Sequence, residues 1–192
     1  STGVINQGHE NLVILGGDAD VDRYIERTKS GTIGSHRAYQ TNLKVKSATA
    51  TYVNELFNGD VNVNPKGFDG LRKRLVGEQV INATAKTNEE GFLNDLDDLF
   101  AKVDGGIPDV VYANQTQIAK LKSLGRKVGG AEYIMSEITG KREFTWNGVP
   151  FMPVGQHWSG REIIPVGADG GDFYAIKFAS GESMPGIMGI TN

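Results

Sequence analysis

The acidic residues of this sequence are the first candidates for chemistry. Asp18, Asp20 and Asp22 alternate along the chain, as the first ligands of an EF-hand calcium loop do. Such a loop also needs glycine at its sixth position and a bidentate glutamate at its twelfth, where this chain has Arg23 and Lys29. The spacing therefore indicates a bend and a solvated strand face rather than a calcium site.

The other polar residues form no motif with the spacing that catalysis or metal binding needs. Asp95, Asp97 and Asp98 fall on the polar face of a predicted amphipathic helix. The three histidines, His9, His36 and His157, are scattered without metal-ligand spacing. Glycine-rich phosphate loops and nucleophile elbows are absent from the sequence. We therefore predict no catalytic residue, no cofactor, no metal site and no enzymatic activity.

Composition narrows the function classes further. The 192 residues carry a net charge of −3 without a run of lysine or arginine, which argues against sequence-specific DNA binding. Cysteine is absent, which excludes disulfides and thiolate metal sites. No 18-residue apolar run or signal peptide occurs, so we expect a soluble chain made inside the cell, with no membrane partner. Because the chain begins at Ser1 and ends without a closing element, we expect a fragment or a processed chain.

One long helix is the element around which the rest of the chain is predicted to be organised. Between Gly34 and Asp60 there is no proline and no internal glycine until Gly59. Apolar and small residues recur at helical spacing and predict one buried face: Ala38, Tyr39, Leu43, Val45, Ala48, Ala50, Tyr52, Val53, Leu56 and Phe57. We predict a helix over residues 35–58, with Ser35 as its N-cap and Gly59 as a left-handed C-terminal stop.

Shorter elements are predicted on either side of this helix. Leu12–Leu15 and Val21–Ile25 are predicted strands, which could form a hairpin on their own domain or an arm that reaches a neighbouring subunit. A second helix is predicted over residues 89–103 with Asn88 as its cap, and a third is capped by Asn114. Asn147-Gly148 predicts a type I′ hairpin. Further strands are predicted at residues 80–81, 110–112, 163–164 and 173–178, with a domain boundary near Ile107-Pro108.

Several segments, in this order, resemble the major capsid protein of tailed bacteriophages. The resemblance covers nearly the whole chain, is weakest after Met152, and is carried by Ile14–Ile25, Lys44–Lys46, Phe57–Asp60, Asn64–Leu71, Gln79–Asn82 and Asp109–Leu124. Members of that family have further sequence before this region and closing strands after it, so both ends of the fold would be missing here.

The resemblance implies an α+β phage capsid fold with a long spine helix, an extended β-hairpin loop, a peripheral domain and an axial domain. Residues 1–30 would belong to the extended loop, residues 31–108 to the peripheral domain with its spine helix over 35–58, and residues 109–192 to the axial domain. Residues of the extended loop would then touch a neighbouring subunit, and we expect those contacts at Leu12, Val13, Ile14, Leu15, Val21, Arg23 and Ile25.

The function implied is that of a structural subunit that self-assembles, through pentamers and hexamers, into an icosahedral shell around double-stranded DNA. Scaffolding or maturation proteins would be further partners. The protein would be made in the cytoplasm of a bacterial host and located in the virion capsid. An encapsulin-like compartment shell is the alternative within the same fold. The alternative from another class is an α/β enzyme or ligand-binding domain whose site is assembled from loops.

Overall fold

A computed structural model describes residues 12–18, 36–83, 89–104, 106–130, 132–135, 140–167, 170–179 and 186–187. The chain divides into two compact units, Ser1–Arg74 and Leu75–Asn192. The first unit contains helices α1 (His36–Asn58) and α2 (Leu71–Arg74). The second contains a 3-10 helix (Gly77–Gln79), helices α3 (Glu89–Ala101) and α4 (Gln115–Val128), and strands β1 (Val110–Ala113), β2 (Glu132–Met135), β3 (Arg142–Trp146), β4 (Val149–Pro153) and β5 (Phe173–Ile176).

Helix α1 confirms the predicted long helix and runs for 23 residues. Threonine competes with a helical backbone for hydrogen bonds. Here the Thr49 and Thr51 hydroxyls donate back to the carbonyls of Val45 and Ser47, each at 2.9 Å, so these side chains do not interrupt the helix. The predicted N-cap, Ser35, lies outside the described residues.

The prediction of a left-handed glycine at the end of α1 is wrong, because Gly59 has no positive φ. The glycine is required by a close approach of two backbone segments instead. A Cβ on Gly59 would lie 2.5 Å from the Glu55 carbonyl oxygen, and a Cβ on Gly70 would lie 2.6 Å from the Gly59 nitrogen. The Gly70 N–H donates to the Gly59 carbonyl at 2.9 Å. The two glycines therefore let the chain fold back against the end of the helix.

The second unit is built on a five-stranded sheet with the order β2-β3-β4-β1-β5. β1 pairs in parallel with β4, and the other neighbouring pairs are antiparallel. Because Val111 pairs with Phe151 and side chains alternate along each strand, one sheet face carries most of the buried cluster. That cluster comprises Leu96, Phe100, Val111, Ala113, Ile118, Leu121, Phe144, Trp146, Val149 and Phe151.

Helix α3 covers this face through aromatic contacts. The Phe92 ring lies 5.6 Å from the Phe173 ring, and the Phe100 ring lies 6.5 Å from the Phe151 ring, measured between centroids. The apolar face predicted for this helix is thus confirmed at Phe92, Leu96 and Phe100, which belong to the core cluster or pack against it. The predicted cap, Asn88, lies outside the described residues.

Two local predictions in this unit are confirmed by backbone geometry. Asn147 and Gly148 have φ values of 50° and 79°, so both central residues of the β3–β4 turn have the positive φ of a type I′ hairpin. Asn114 caps α4, because its side chain accepts a hydrogen bond from the Thr116 N–H at 2.9 Å.

Three strand predictions are wrong among the described residues. Residues 12–15 have no regular secondary structure, and residues 80–81 follow the 3-10 helix without forming a strand. Ile163 and Ile164 are buried, but they lie in a bend. A short apolar run indicates a buried or extended segment. Such a segment forms a strand only where a partner strand lies beside it in register. The predicted strand 21–25 lies outside the described residues.

The two compact units do not coincide with the predicted domains. Helix α3 belongs to the second unit, although the sequence assigned it to the peripheral domain. The compact units are defined by contacts within one chain, whereas peripheral and axial domains are defined by their positions in an assembled shell. The loop 1–30, the peripheral domain 31–108 and the axial domain 109–192 therefore stay predictions.

Candidate functional site

Four of the predicted contact residues form a continuous exposed apolar segment. Leu12, Val13, Ile14 and Leu15 are all exposed, and Ile14 is 97% exposed. Isolated apolar side chains are common on protein surfaces, but contiguous ones mark surfaces that other molecules cover. The other predicted contact residues, Val21, Arg23 and Ile25, lie outside the described residues.

Part of the apolar stripe of α1 is also exposed. The expectation that the stripe is buried within the chain is wrong for its residues between 38 and 45 and for Tyr52, while its other residues between 48 and 56 are half-buried. Tyr39, Leu43, Val45 and Tyr52 are all exposed, whereas Phe57 near the C-terminal end is buried. At 3.6 residues per turn, Tyr39 and Leu43 lie on one side of α1 and Val45 and Tyr52 lie on the nearly opposite side, so the helix exposes apolar residues on two sides. We call Leu12, Val13, Ile14 and Leu15, together with Tyr39, Leu43, Val45 and Tyr52 of α1, the exposed apolar residues of the first unit.

A cluster of charges secures the turn that follows α1. The Lys73 ammonium lies 2.6 Å from Asp60 Oδ1 and 2.8 Å from Asp69 Oδ1. The hydrogen bond from Lys73 is the largest cause that lowers the pKa of each carboxyl, followed by backbone N–H donors from Asn62 and Val61. The same two carboxylates raise the pKa of Lys73. The groups are solvent-accessible, so the cluster orients the turn more than it stabilises the fold.

The second unit has an exposed sheet edge that sequence reasoning missed. β2 lies at the end of the sheet and pairs only with β3 among the strands that the structure describes. All four of its residues are exposed, including Tyr133, Ile134 and Met135. An unpaired edge with apolar side chains is open to pairing with another chain. The alternation of this segment is too short to distinguish an edge strand from a loop by sequence alone.

The second unit also contains a cleft of about 330 Å³ at the start of α4. Its walls include Asn114, Val154, Glu162 and Ile164. Asn114 is buried, and its amide donates to Glu162 Oε2 and to the Ile164 carbonyl, both at 2.7 Å. These bonds hold the Glu162 carboxylate in a defined position at the cleft wall. Sequence analysis identified Asn114 as a helix cap but missed this second role, which joins residues 48 positions apart.

The described residues include no group of three or more histidine, cysteine, aspartate or glutamate side chains that could hold a metal ion. Asp97 of the predicted acidic face accepts a hydrogen bond from the Asn147 side chain at 3.1 Å, which ties α3 to the β3–β4 turn. Asp18 is exposed, and Asp20 and Asp22 lie outside the described residues. Among the helices that the structure describes, none is long and apolar enough to cross a membrane.

Comparison with known proteins gives a structural likeness. No protein-family model and no curated protein matches the chain. A solved structure that does match is the holo-SrpI encapsulin complex from Synechococcus elongatus PCC 7942, determined by electron cryomicroscopy, with a TM-score of 0.64 and 18% sequence identity. The fold is shared with an encapsulin. The match covers 89% of this chain and 57% of the encapsulin chain.

This likeness confirms the coarse prediction of a capsid-like shell fold. It does not extend to the tailed-phage major capsid protein, because the matched structure is an encapsulin. The likeness points to no catalytic family. This chain spans little more than half the length of the encapsulin chain, so the activity and partners of a whole protein are matters of proposal.

Proposed function

We propose that this chain is a subunit of a self-assembling protein shell of the encapsulin type. The observation that carries the proposal is the match of 89% of the chain to an encapsulin at a TM-score of 0.64. A match over this much of the chain includes both compact units rather than one common sheet motif.

The exposed apolar residues of the first unit support assembly, because burying them against another subunit would be favourable. Burial of one exposed aliphatic or aromatic side chain stabilises a complex by about 1.5–3 kcal/mol before ordering costs. Eight such side chains are exposed here: Leu12, Val13, Ile14, Leu15, Tyr39, Leu43, Val45 and Tyr52. Exposed apolar side chains on a long helix, together with an exposed apolar segment in the same unit, are expected of a protein that another subunit covers.

The encapsulin alternative is better supported than the phage capsid to which the sequence first pointed. The sequence resemblance rests on the order and spacing of segments, which both kinds of shell protein would retain. The matched structure, by contrast, is an encapsulin. We therefore propose that the cargo is protein rather than a packaged genome. Pentameric and hexameric rings of this chain are the proposed intermediates. A bacterial cytoplasm is the proposed location, and a virion capsid is the location if the phage interpretation holds.

Assembly is tested by size-exclusion chromatography with light scattering, followed by negative-stain electron microscopy of the purified protein. Closed particles of uniform diameter are the expected result. A monomer or dimer at micromolar concentration, stabilised by a small-molecule substrate on heating, would favour the enzyme alternative instead.

The cargo is tested on the same particles. Nuclease treatment of intact particles, followed by extraction, distinguishes protected DNA from co-purifying protein. Protein of fixed stoichiometry without nuclease-resistant DNA supports the encapsulin function. Protected double-stranded DNA would restore the phage capsid interpretation.

A further inference from the structure

We propose that Trp158 anchors one copy of the second unit in the cleft beside Glu162 of a second copy. The inference rests on the proposed self-assembly and adds a specific contact to it. Its two halves, an exposed indole on a rigid hairpin and a cleft with a positioned carboxylate, both belong to the same compact unit.

Trp158 lies at the tip of a short hairpin that backbone hydrogen bonds hold in place. The His157 N–H donates to the Arg161 carbonyl at 2.8 Å, and the Gly160 N–H donates to the His157 carbonyl at 2.9 Å. Gly160 has a φ of 80°, which closes the tight turn at little cost. Below the turn, Gln156 and Glu162 form an antiparallel bridge. The tip is therefore built before any partner binds.

The side chains of the tip are also ordered around the indole. His157 Nδ1 and Ser159 Oγ are 3.0 Å apart, and the His157 and Trp158 ring centroids are 5.2 Å apart. Even so, Trp158 is 68% exposed. Tryptophan on a rigid, exposed projection is costly to leave in water and loses little entropy on binding, which is why it dominates many interfaces.

The cleft matches this tip in chemistry. The indole N–H can only donate a hydrogen bond, and Glu162 offers a carboxylate whose Oε2 is already held 2.7 Å from the Asn114 amide. Val154, which is half-buried, offers apolar surface to the ring, whereas Ile164 is 3% exposed and forms the floor behind it. Arg161, which is exposed near the indole in sequence, carries the charge opposite to that of Glu162, the one charged side chain among the residues that line the cleft. Trp158 does not line the cleft of its own copy, so an indole of this residue that enters a cleft must enter that of a second copy.

The first experiment measures whether assembly buries Trp158. The chain has two tryptophans, and the other one, Trp146, is buried in the core. The fluorescence of the parent minus that of Trp158→Phe therefore isolates Trp158. We expect a blue shift and a loss of acrylamide quenching for this difference signal when shells assemble. If shells assemble but the difference signal keeps the emission wavelength and acrylamide quenching of the free subunit, Trp158 is not buried. That result would overturn the inference and leave the proposed function intact.

The second experiment measures the contribution of the contact. Trp158→Ala is expected to weaken each subunit contact by about 30-fold, the effect of a typical interface hot spot. Glu162→Gln is expected to weaken the subunit contact by less than Trp158→Ala does. The double variant is expected to weaken it by less than the sum of the two single effects. Phe178→Ala is the control, because Phe178 is another exposed aromatic of the same unit. Equal effects of Trp158→Ala and the control would contradict the inference, and subunit melting temperatures show whether each variant is folded.

The third experiment locates the two halves on different copies. The chain lacks cysteine, so in shells that mix Ser159→Cys and Gln115→Cys copies a disulfide between positions 159 and 115 requires the tip of one copy to meet the cleft of another, and shells of either variant alone control for pairing between identical positions. We expect disulfide-linked dimers on non-reducing gels of mixed shells and none when Trp158→Ala is added. Shells without the cross-link overturn the contact alone, and a parent protein that stays monomeric overturns both the contact and the proposed function.

Discussion

Ile14 gives the most direct test of whether the exposed apolar residues of the first unit form a subunit contact, because a buried isoleucine in the core allows the same substitution for comparison. Ile14 is 97% exposed, whereas Ile118 in α4 is 1% exposed. In a single subunit, Ile118→Ala should cost about 2–5 kcal/mol, because it leaves a cavity in a packed core. Ile14→Ala should change subunit stability by less than about 0.5 kcal/mol, because the side chain contacts mostly water.

In the assembled state the expectation reverses for Ile14. The substitution removes three carbons, and about 0.8 kcal/mol per buried carbon gives a loss of about 2 kcal/mol for each contact that buries this side chain. That loss corresponds to about a 30-fold weaker association. Because each subunit of a closed shell makes the contact, the minimum protein concentration for shells should rise by at least this factor.

Two measurements separate these effects. Thermal melting of dissociated subunits reports subunit stability, and light scattering against protein concentration reports assembly. If Ile14→Ala shells form at the concentration of the parent, residues 12–15 do not contribute to the interface. If Ile14→Ala lowers the melting temperature as much as Ile118→Ala does, residues 12–15 pack within their own subunit, and the proposal that they form a subunit contact is wrong.

Three further predictions concern stability. Gly59→Ala should destabilise the first unit by about 2–4 kcal/mol, measured by urea unfolding, because the new Cβ meets backbone that cannot move aside. Lys73→Met should lower the melting temperature at neutral pH. That difference should vanish in acid, as pH falls through the lowered carboxyl pKa values, and in base, as pH rises through the raised Lys73 pKa. Asn114→Ala should cost about 2 kcal/mol or more in thermal melting, because it removes both a helix cap and two donated bonds.

Matched variants define the outcomes that would contradict these three predictions. Gly16→Ala adds the same methyl group where nothing lies within 4 Å, so an equal loss in Gly16→Ala and Gly59→Ala would exclude a steric cause. A Lys73→Met effect that is constant from acid to base would show that packing of the side chain, not its charge, is responsible. Asn114→Ser keeps a capping oxygen but loses the amide donor, so full recovery in Asn114→Ser would show that the bonds to Glu162 and Ile164 contribute nothing.

Local chemistry made several elements predictable from the sequence. The absence of proline and internal glycine before Gly59 set the extent of α1, and the structure ends the helix at Asn58. Asn114 caps α4 and Asn147-Gly148 forms the β3–β4 turn as predicted, because both features depend on residues within two or three positions. The amphipathic pattern of α3 was predictable for the same reason, since the spacing of its apolar residues depends only on neighbouring positions in the chain.

Features that depend on distant residues were not predictable. The sequence shows a glycine after α1 but not that Gly70 packs against it, so the reason for the glycine was misassigned. The hydrogen bond in the cleft joins Asn114 to Glu162 across 48 positions, and no local sequence pattern predicts that pairing. Strand β2 is an edge only because of its place in the sheet order.

The sequence by itself determined a helix-and-strand chain with a long apolar-faced helix and no recognisable catalytic motif, and its segment order resembles that of tailed-phage major capsid proteins. The tertiary structure decided which apolar faces are covered within one chain and which remain open to another. The physical reason is that periodicity places side chains on a common face, while only three-dimensional packing determines whether that face meets the same chain or water. The open faces at Ile14, along α1 and at the Trp158 tip are therefore structural findings.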